Sequence, residues 1–589
     1  MNAPIQRQLT LRAILAGALL GGLLSLSNLY VALQTGWSIG VSITAGLAAF
    51  AIFAVLTRLR IVREPFGLLE NNAMQSVASA AGYMTGGGTV AAIPALMMLT
   101  GHPLPGVQMF FWISTIAMLG VVMAIPLKQQ LIDVEQLRFP TGLAAAETLK
   151  ALHGGAGNVG QRPLAIATVV GALVGFLRRA HADWMPFNLP EQIAFQTSRW
   201  RLTIANRGLA AYSLQFDTSL VLLAAGAIMG WRTAWSMMLG AIVNYAICAP
   251  WLMDHGYITG LGYKGIISWS VWVGSAMILT SGLLSFGFQW RTVLRAFQTL
   301  QNAVRGGPTN AADVPMSWFA LGIAILGPIV VFLQAYLFGI PWWCGILALC
   351  LSFFIAIVAA RATGETDNTP SGALGKITQI TFGVLRPADV TTNLMTANVT
   401  AGVGLHAADL LTDLKSGWVL KADPRQQFLA QFFGVVAGSA FVVPAYRLLI
   451  PDASVLEDGT WPAPAAQTWK ATAAMLANGV ESLNDAQRWA LGVGAVVGIA
   501  LVLLDRAFPK ARPYIPSATA VGFAFTTPGY NTISMFLGGF IALLASRRWG
   551  AARAEAVLTP ASSGLIASES LMSVFIAILA ALGVLSKVA

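Results

Sequence analysis

The chain of 589 residues is 56% hydrophobic and only 10% charged, with a mean hydropathy of +0.69. Soluble domains carry about 25% charged residues, so this composition excludes an ordinary soluble protein and predicts a polytopic membrane protein. The net charge of +11 arises from arginines at the ends of apolar runs. It therefore indicates membrane topology and contact with anionic lipid headgroups, and no nucleic-acid partner is expected.

The first apolar run is long enough for two membrane spans. Residues 13–56 carry no charge and are interrupted by a turn at residues 34–36, which predicts two helices at roughly 20 residues each. Arg7 and Arg12 precede this run, and Arg58 follows it. Because positively charged segments stay on the cytoplasmic side, we expect a cytoplasmic N-terminus in the inner (plasma) membrane. The polar start of the chain predicts no cleavable signal peptide.

A polar linker divides the apolar runs into two halves. Residues 291–313 are the most polar stretch of the chain, and we predict that they join an N-terminal transmembrane half (1–290) to a C-terminal one (314–589). Together the two halves contain about 16 candidate spans. Between residues 140 and 290 the predicted spans give inconsistent sides of the membrane unless one element there does not cross it. The predicted fold is therefore an all-α polytopic membrane protein with about 16 transmembrane helices.

The two halves carry a weak internal repeat. The segment at residues 140–151 resembles the one at 462–471, and the surroundings of Gln75 resemble those of Gln379. In both halves the glutamine precedes the proline-led segment, and both proline-led segments are too short for a bilayer of about 30 Å. Repeats with interrupted helices at matching positions are typical of transporters. We therefore predict two pseudo-symmetric halves with re-entrant or broken helices.

A polar stripe in the first half is the main candidate for a binding surface. In the segment from Glu70 to Gly88 its members fall three or four residues apart and share one face of a helix. They are Asn72, Gln75, Ser76, Ser79 and Tyr83. A second stripe, which includes Asn393 and Thr396, lies in the other half. Such stripes either hold helices together or line a path for a polar substrate.

Acidic residues inside apolar runs are candidates for proton coupling. An acid in a low-dielectric surrounding takes up a proton more readily, as proton coupling requires. The candidates are Asp409, Glu147, Glu70 and Glu569. His406, Asp409 and Asp413 share one helical face. The alternative is that these acids cap helices or pair with arginine and lysine at membrane edges.

The sequence gives little support for a metal site or for catalysis. The three cysteines lie in or beside apolar runs and the five histidines are scattered, so we predict no metal site and no cofactor. Residues 36–40 fit the pattern G-x-S-x-G, but they join two helical runs rather than a strand and a helix. A membrane-embedded enzyme acting on a lipid or peptide stays the second function class, although no catalytic residues can be named for it.

Four segments resemble motifs of the oligopeptide transporter (OPT) superfamily, which includes the yellow stripe-like metal–chelate transporters. Residues 70–79 are similar to its Q-E-N-x-x-x-Q-x-x-x-x-S element and residues 137–147 to its Y-P-S/T-G-x-A-x-A element. Residues 408–417 resemble A-D-L-M-x-D-L-K-T-G, and residues 561–569 resemble A-S-G-L-I-x-G-E. Ser568 stands where the family usually has glycine. The short loops resemble those of the prokaryotic members.

The resemblance implies about 16 helices in two related halves and proton-coupled import by alternating access. Its implied cargo is a short peptide or a peptide-like metal chelate. The N-P-G and K-I-P-P-R signatures of the peptide branch are not found here, so the cargo stays open. We predict a secondary active transporter whose partners are this cargo, protons and the lipid bilayer. A homodimer is left open.

Overall fold

The structure is a computed structural model of a helical protein. It describes residues 8–36, 38, 40–86, 88–153, 158–179, 188–195, 203–205, 207–258, 260–288, 313–366, 369, 371–457, 460–479, 481 and 483–581. Most of these are helical, which confirms the prediction of an all-α polytopic membrane protein. The predicted linker at 291–313 lies outside the described residues except for Asp313.

Twelve α-helices and four short strands lie between residues 11 and 288 of the described chain. The helices are α1 (Leu11–Thr35), α2 (Ser42–Arg58), α3 (Leu68–Gly82), α4 (Thr89–Thr100), α5 (Gly106–Met123), α6 (Ile125–Lys128), α7 (Pro140–His153), α8 (Asn158–Arg179), α9 (Leu220–Met229), α10 (Trp231–Ala241), α11 (Ala249–Asp254) and α12 (Gly262–Phe288). π-Helical turns at Gln129–Val134 and Ile242–Cys248 extend α6 and α10. Between α8 and α9, strand β1 (Gln192–Ala194) pairs antiparallel with β4 (Gln215–Asp217), and β2 (Thr203–Ile204) pairs with β3 (Arg207–Gly208).

Eleven further α-helices lie after residue 313 in the part of the chain that the structure describes. They are α13 (Met316–Phe338), α14 (Trp342–Thr366), α15 (Ser371–Leu385), α16 (Val390–Leu420), α17 (Pro424–Leu449), α18 (Ser454–Glu457), α19 (Pro464–Asn478), α20 (Asp485–Ala507), α21 (Ala518–Ala524), α22 (Gly529–Trp549) and α23 (Ala551–Ala581).

Nine helices among the described residues are long and apolar enough to cross a membrane. A helix that is broken into short pieces or that carries several charged residues is not among these nine, even where it is long enough to span. Helix α16, for example, has 31 residues, about 46 Å at 1.5 Å per residue, but it carries several charged and amide side chains. The number of about 16 spans therefore stays a prediction.

Helix α16 is the buried centre of the described structure. Of its 31 residues, 26 are buried, and it contacts α3, α4, α5, α7, α14, α15, α17 and α19. A helix that is buried on all sides yet carries asparagine, aspartate and histidine places these groups among protein side chains, away from lipid.

The helix that carries the first polar stripe is broken. Helix α3 ends at Gly82, and Tyr83 lies in a short 3₁₀ turn at Tyr83–Thr85 before α4 begins. Gly88 at the start of α4 has a φ of +94°, and a Cβ there would lie 2.9 Å from Nδ2 of Asn398. Only glycine suits this conformation and this spacing. The glycines therefore interrupt the helix beside α16.

The two proline-led segments form short helices. Helix α7 has 14 residues and α19 has 15, so each is about 21–23 Å long, which is less than the apolar thickness of a bilayer. These lengths support the prediction that neither is a complete span, which stays a prediction. Helix α7 packs on α16 at Gly142, where a Cβ would collide with the Thr412 carbonyl oxygen.

Candidate functional site

Two aspartates on α16 are joined by two serine hydroxyls. The Ser79 hydroxyl donates to Asp409 Oδ1 at 2.7 Å. Ser42 Oγ lies 2.9 Å from Ser79 Oγ and 3.3 Å from Asp413 Oδ1, and it donates its single proton to one of them. Gln431 Nε2 donates to Asp413 Oδ2 at 2.8 Å. We call these five residues the serine–aspartate network.

Further polar contacts tie α3 and α17 to the same part of α16. Ser416 Oγ donates to Asn72 Oδ1 at 2.9 Å. Gln427 Nε2 lies 2.9 Å from the Asp413 carbonyl oxygen and 3.2 Å from Ser76 Oγ. The predicted stripe residues Asn72 and Ser79 therefore face α16 and Ser76 faces α17, as a path or a packing surface requires.

Several buried polar atoms beside this network have no hydrogen-bond partner among the described residues. Both amide atoms of Gln75 are unpartnered although the residue is 1% exposed. The others are Asn71 Oδ1, Asn72 Nδ2, His406 Nδ1, Asp409 Oδ2 and Gln431 Oε1. A buried polar group without a partner costs about 1–3 kcal/mol. The cluster is therefore suited to receive water, a proton or the polar groups of a substrate.

Asp409 and Asp413 are buried without a basic side chain in ion-pair contact, as far as the structure describes the chain. Their contacts are hydroxyls and an amide. Two carboxylates that lack a cation in such a place are costly while charged, and binding a proton removes that cost. This geometry matches what a proton carrier needs.

The second predicted stripe lies where α15, α16 and α19 meet. Gln379 Nε2 donates to Asn393 Oδ1 at 3.0 Å and to the Trp469 carbonyl oxygen at 3.3 Å, and Asn393 Nδ2 donates back to the Gln379 carbonyl oxygen. The Thr396 hydroxyl donates to the Thr392 carbonyl oxygen at 2.7 Å within α16. Asn393 thus joins two helices, whereas the hydroxyl proton of Thr396 is used within its own helix.

The two stripes lie at different levels of α16. Asn393 and Asp409 are 16 positions apart, about 24 Å along a helix, so Asn393 and Ser79 are not side by side. The break in the α3–α4 helix lies between them, because a Cβ at Gly86 would meet Leu405 and one at Gly88 would meet Asn398. The predicted residues therefore follow α16 in succession and do not form one pocket.

The other three predicted proton carriers have different surroundings from Asp409. Glu70 is paired with Arg12, whose Nη2 lies 2.6 Å from Oε2, and it also accepts from Thr10. The side chain of Glu147 is 69% exposed and lies 3.1 Å from Lys150 Nζ.

Glu569 is fully buried within an ionic cluster at the start of α9. Arg178 Nη1 donates to Glu569 Oε1 and Nη2 to Asp217 Oδ1, both at 2.9 Å. The backbone N–H groups of Leu220 and Val221 donate to Glu569 Oε2 at 2.8 and 3.2 Å. Glu569 therefore neutralises a buried arginine and caps a helix.

Some residues of these networks were not singled out from the sequence. They are Ser42, Gln427, Gln431 and Arg178. Ser42 and Gln431 are single polar residues within apolar runs, whereas Gln427 and Arg178 each adjoin a second polar residue at the end of such a run. Asp413 was placed on the face of His406 and Asp409 but was not chosen as a carrier.

Comparison with known proteins matches this chain to one family and to relatives that are named as transporters. The profile of the family described as OPT oligopeptide transporter protein matches residues 8–580. A putative oligopeptide transporter from Haemophilus influenzae is 24% identical over 94% of this chain and 93% of its own length. A putative oligopeptide transporter from Saccharomyces cerevisiae is 25% identical over 97% of this chain and 96% of its own length. An iron-phytosiderophore transporter from Oryza sativa is 25% identical over 96% of this chain and 91% of its own length. Each is named a transporter, which confirms that class over a membrane-embedded enzyme.

Proposed function

Because this chain belongs to the OPT oligopeptide transporter family, we propose that it is a proton-coupled secondary transporter that imports its cargo by alternating access. The cargo is an oligopeptide or a peptide-like metal chelate, in line with the names of its relatives. The observation that carries the proposal is the buried Asp409–Asp413 pair, which is bridged by two hydroxyls. The unpartnered amide of Gln75 lies one helical turn before Ser79 on α3.

Asp409 is the proposed proton carrier, and the serines give it a route for exchange. A proton on Asp413 passes to Ser42 Oγ, the Ser42 proton to Ser79 Oγ, and the Ser79 proton to Asp409 Oδ1. This leaves Asp413 charged and Asp409 neutral, and the reverse order restores the start. Of the other candidate carriers, Glu70 and Glu569 hold arginines in place, and Glu147 stays the alternative carrier.

The cargo path follows α16. Asn72, Gln75 and Ser79 lie on α3, which packs against α16. Tyr83 lies at the break that follows α3. Asn393 and Thr396 lie near the start of α16. Amides and hydroxyls suit a substrate rich in peptide-like donors and acceptors. The break between Gly82 and Thr89 allows α3 and α4 to move separately, as the parts of a broken helix in a transporter do.

The direct test is uptake by purified protein in liposomes. With an inward proton gradient, cargo is expected to accumulate above its external concentration and to be recovered chemically unchanged. Without the gradient it is expected only to equilibrate. Trialanine and iron–nicotianamine serve as probes of the two cargo classes. Accumulation that is independent of the proton gradient would contradict proton coupling, and altered cargo would contradict transport.

Replacing Gln75 by leucine is expected to separate stability from transport. Leucine removes two buried polar atoms that have no partner, so the free energy of unfolding should rise by about 1–2 kcal/mol. A substrate contact is lost at the same time, so the apparent KM for uptake should rise about tenfold. Thermal unfolding in detergent and initial uptake rates measure the two effects.

Gln334 offers a matched control for this substitution. It is also a fully buried glutamine with an unpartnered Oε1, but it lies on α13, away from the proposed path. Gln334→Leu should leave the apparent KM unchanged. If Gln75→Leu lowers stability and leaves transport intact, Gln75 is only a packing residue.

A further inference from the structure

A lysine is buried beside the break in the α3–α4 helix. Lys376 on α15 is only 2% exposed. Its Nζ donates to the Thr468 carbonyl oxygen at 3.0 Å and to Thr472 Oγ1 at 2.7 Å, and it lies 5.5 Å from the centre of the Trp469 ring. In the part of the chain that the structure describes, no aspartate or glutamate forms an ion pair with it.

Lys376 has capacity for one more contact. An ammonium group carries three N–H donors, and two of them are used. Burying a charge without a counter-ion is costly, so an anion that reached Nζ would bind to a group already placed for it. The aromatic ring and the two oxygens stabilise the cation but do not neutralise it.

Gln379 supplies the complementary group one helical turn away. It lies three residues after Lys376, on the same face of α15. It is completely buried, and its Oε1 has no hydrogen-bond partner among the described residues. Its Nε2 is held by Asn393 and by the Trp469 carbonyl oxygen, so Oε1 is fixed in place as a free acceptor for an N–H group.

We propose that Lys376 and Gln379 form a subsite for a cargo carboxylate and the N–H group next to it. Trp469 links this subsite to the break in the α3–α4 helix, because a Cβ at Gly88 would lie 3.3 Å from its ring. The inference rests on the proposed transport function and narrows its cargo to molecules with a carboxylate close to a nitrogen. A peptide C-terminus and an aminocarboxylate chelator both have this chemistry.

The competing explanation is that Lys376 only joins α15 to α19. Both explanations predict that loss of Lys376 harms the protein, so the test compares two cargoes on the same variant. Trialanine has a C-terminal carboxylate, and trialanine amide lacks its charge but keeps its size. Iron–nicotianamine represents the chelates. Initial uptake into liposomes is measured for all three with the unmodified protein, Lys376→Met and Lys376→Gln.

The subsite predicts a selective loss. In Lys376→Met the apparent KM for trialanine should rise about 10- to 100-fold, as expected for a lost charged hydrogen bond, while that for trialanine amide should change less than about threefold. Lys376→Gln should behave in the same way and serves if the methionine variant does not fold. Lys415 is a matched control, since it is also buried and lies 4.5 Å from the centre of the Trp418 ring. Lys415→Met should not alter the ratio of the two KM values.

Each outcome decides one question. If both Lys376 variants weaken trialanine and its amide equally, the lysine is structural and the subsite is overturned. If only iron–nicotianamine is transported and its KM rises in the variants, the carboxylate is that of a chelate. If the unmodified protein concentrates none of the three probes, the proposed function fails, and the subsite fails with it.

Discussion

Asp409→Asn is expected to abolish uphill transport while preserving exchange. Asparagine keeps the size of the side chain and an oxygen that accepts from Ser79, but it cannot lose a proton. The variant therefore resembles a carrier that is permanently loaded with a proton. Binding of cargo and exchange between equal pools need no net proton movement and should continue. Accumulation driven by a pH gradient should be lost, because the carrier cannot return deprotonated.

The measurement is uptake into liposomes with and without an inward proton gradient, followed by exchange of labelled cargo at equal concentrations. Glu147→Gln tests the alternative carrier, because it makes the same chemical change at an exposed carboxyl that faces Lys150. It should keep gradient-driven uptake. If Glu147→Gln loses accumulation and Asp409→Asn keeps it at the unmodified rate, the proton is carried by Glu147 and Asp409 is structural.

The sequence predicted the features that depend on local spacing. The positions of Asn72, Ser76 and Ser79 indicated a common face, and all three contact α16 or α17. The short proline-led helices followed from length alone. These features are recoverable because helical periodicity and bilayer thickness act on residues that are near one another in the chain.

The sequence did not predict which segments meet. Ser42 and Asp413 are 371 positions apart, and no local pattern relates them. The acids illustrate the consequence, because Glu569 and Asp409 both read as single acids in apolar runs. In the structure one faces an arginine 391 positions away and the other faces hydroxyls. The cost of a buried charge depends on its partner, and the partner is set by tertiary packing.

The proposed symmetry of the two halves gains support from the two glutamines. Gln75 and Gln379 both have amide atoms without partners. Gln379 contacts the backbone of α19. A Cβ at Gly46 would lie 3.6 Å from Gln75 Oε1 and 3.3 Å from Leu149 of α7. Each glutamine thus lies near the short helix of its own half. Superposition of the two halves on these residues would establish the repeat.

The largest effect on stability is expected from Arg178→Met. The guanidinium holds Asp217, Glu569 and the Thr218 hydroxyl, and it joins the end of α8 to the start of α9 and to α23. Removing it leaves two carboxylates buried together without their cation. Breaking a buried ion pair from one side costs about 3–5 kcal/mol. Thermal and denaturant unfolding in detergent should show a loss of this size.

A triple variant separates the effect of charge from that of packing. In Arg178→Met with Asp217→Asn and Glu569→Gln the uncompensated charges are removed together, and replacing a whole buried ionic group is often close to neutral. Most of the lost stability should therefore return. Arg488→Met is the surface control, because the side chains of Arg488 and Asp485 are 45% and 91% exposed and 3.7 Å apart. It should change stability by less than about 0.5 kcal/mol. If the triple variant is as unstable as Arg178→Met, the arginine acts through the packing of its side chain, and charge neutralisation is not what holds α8, α9 and α23 together.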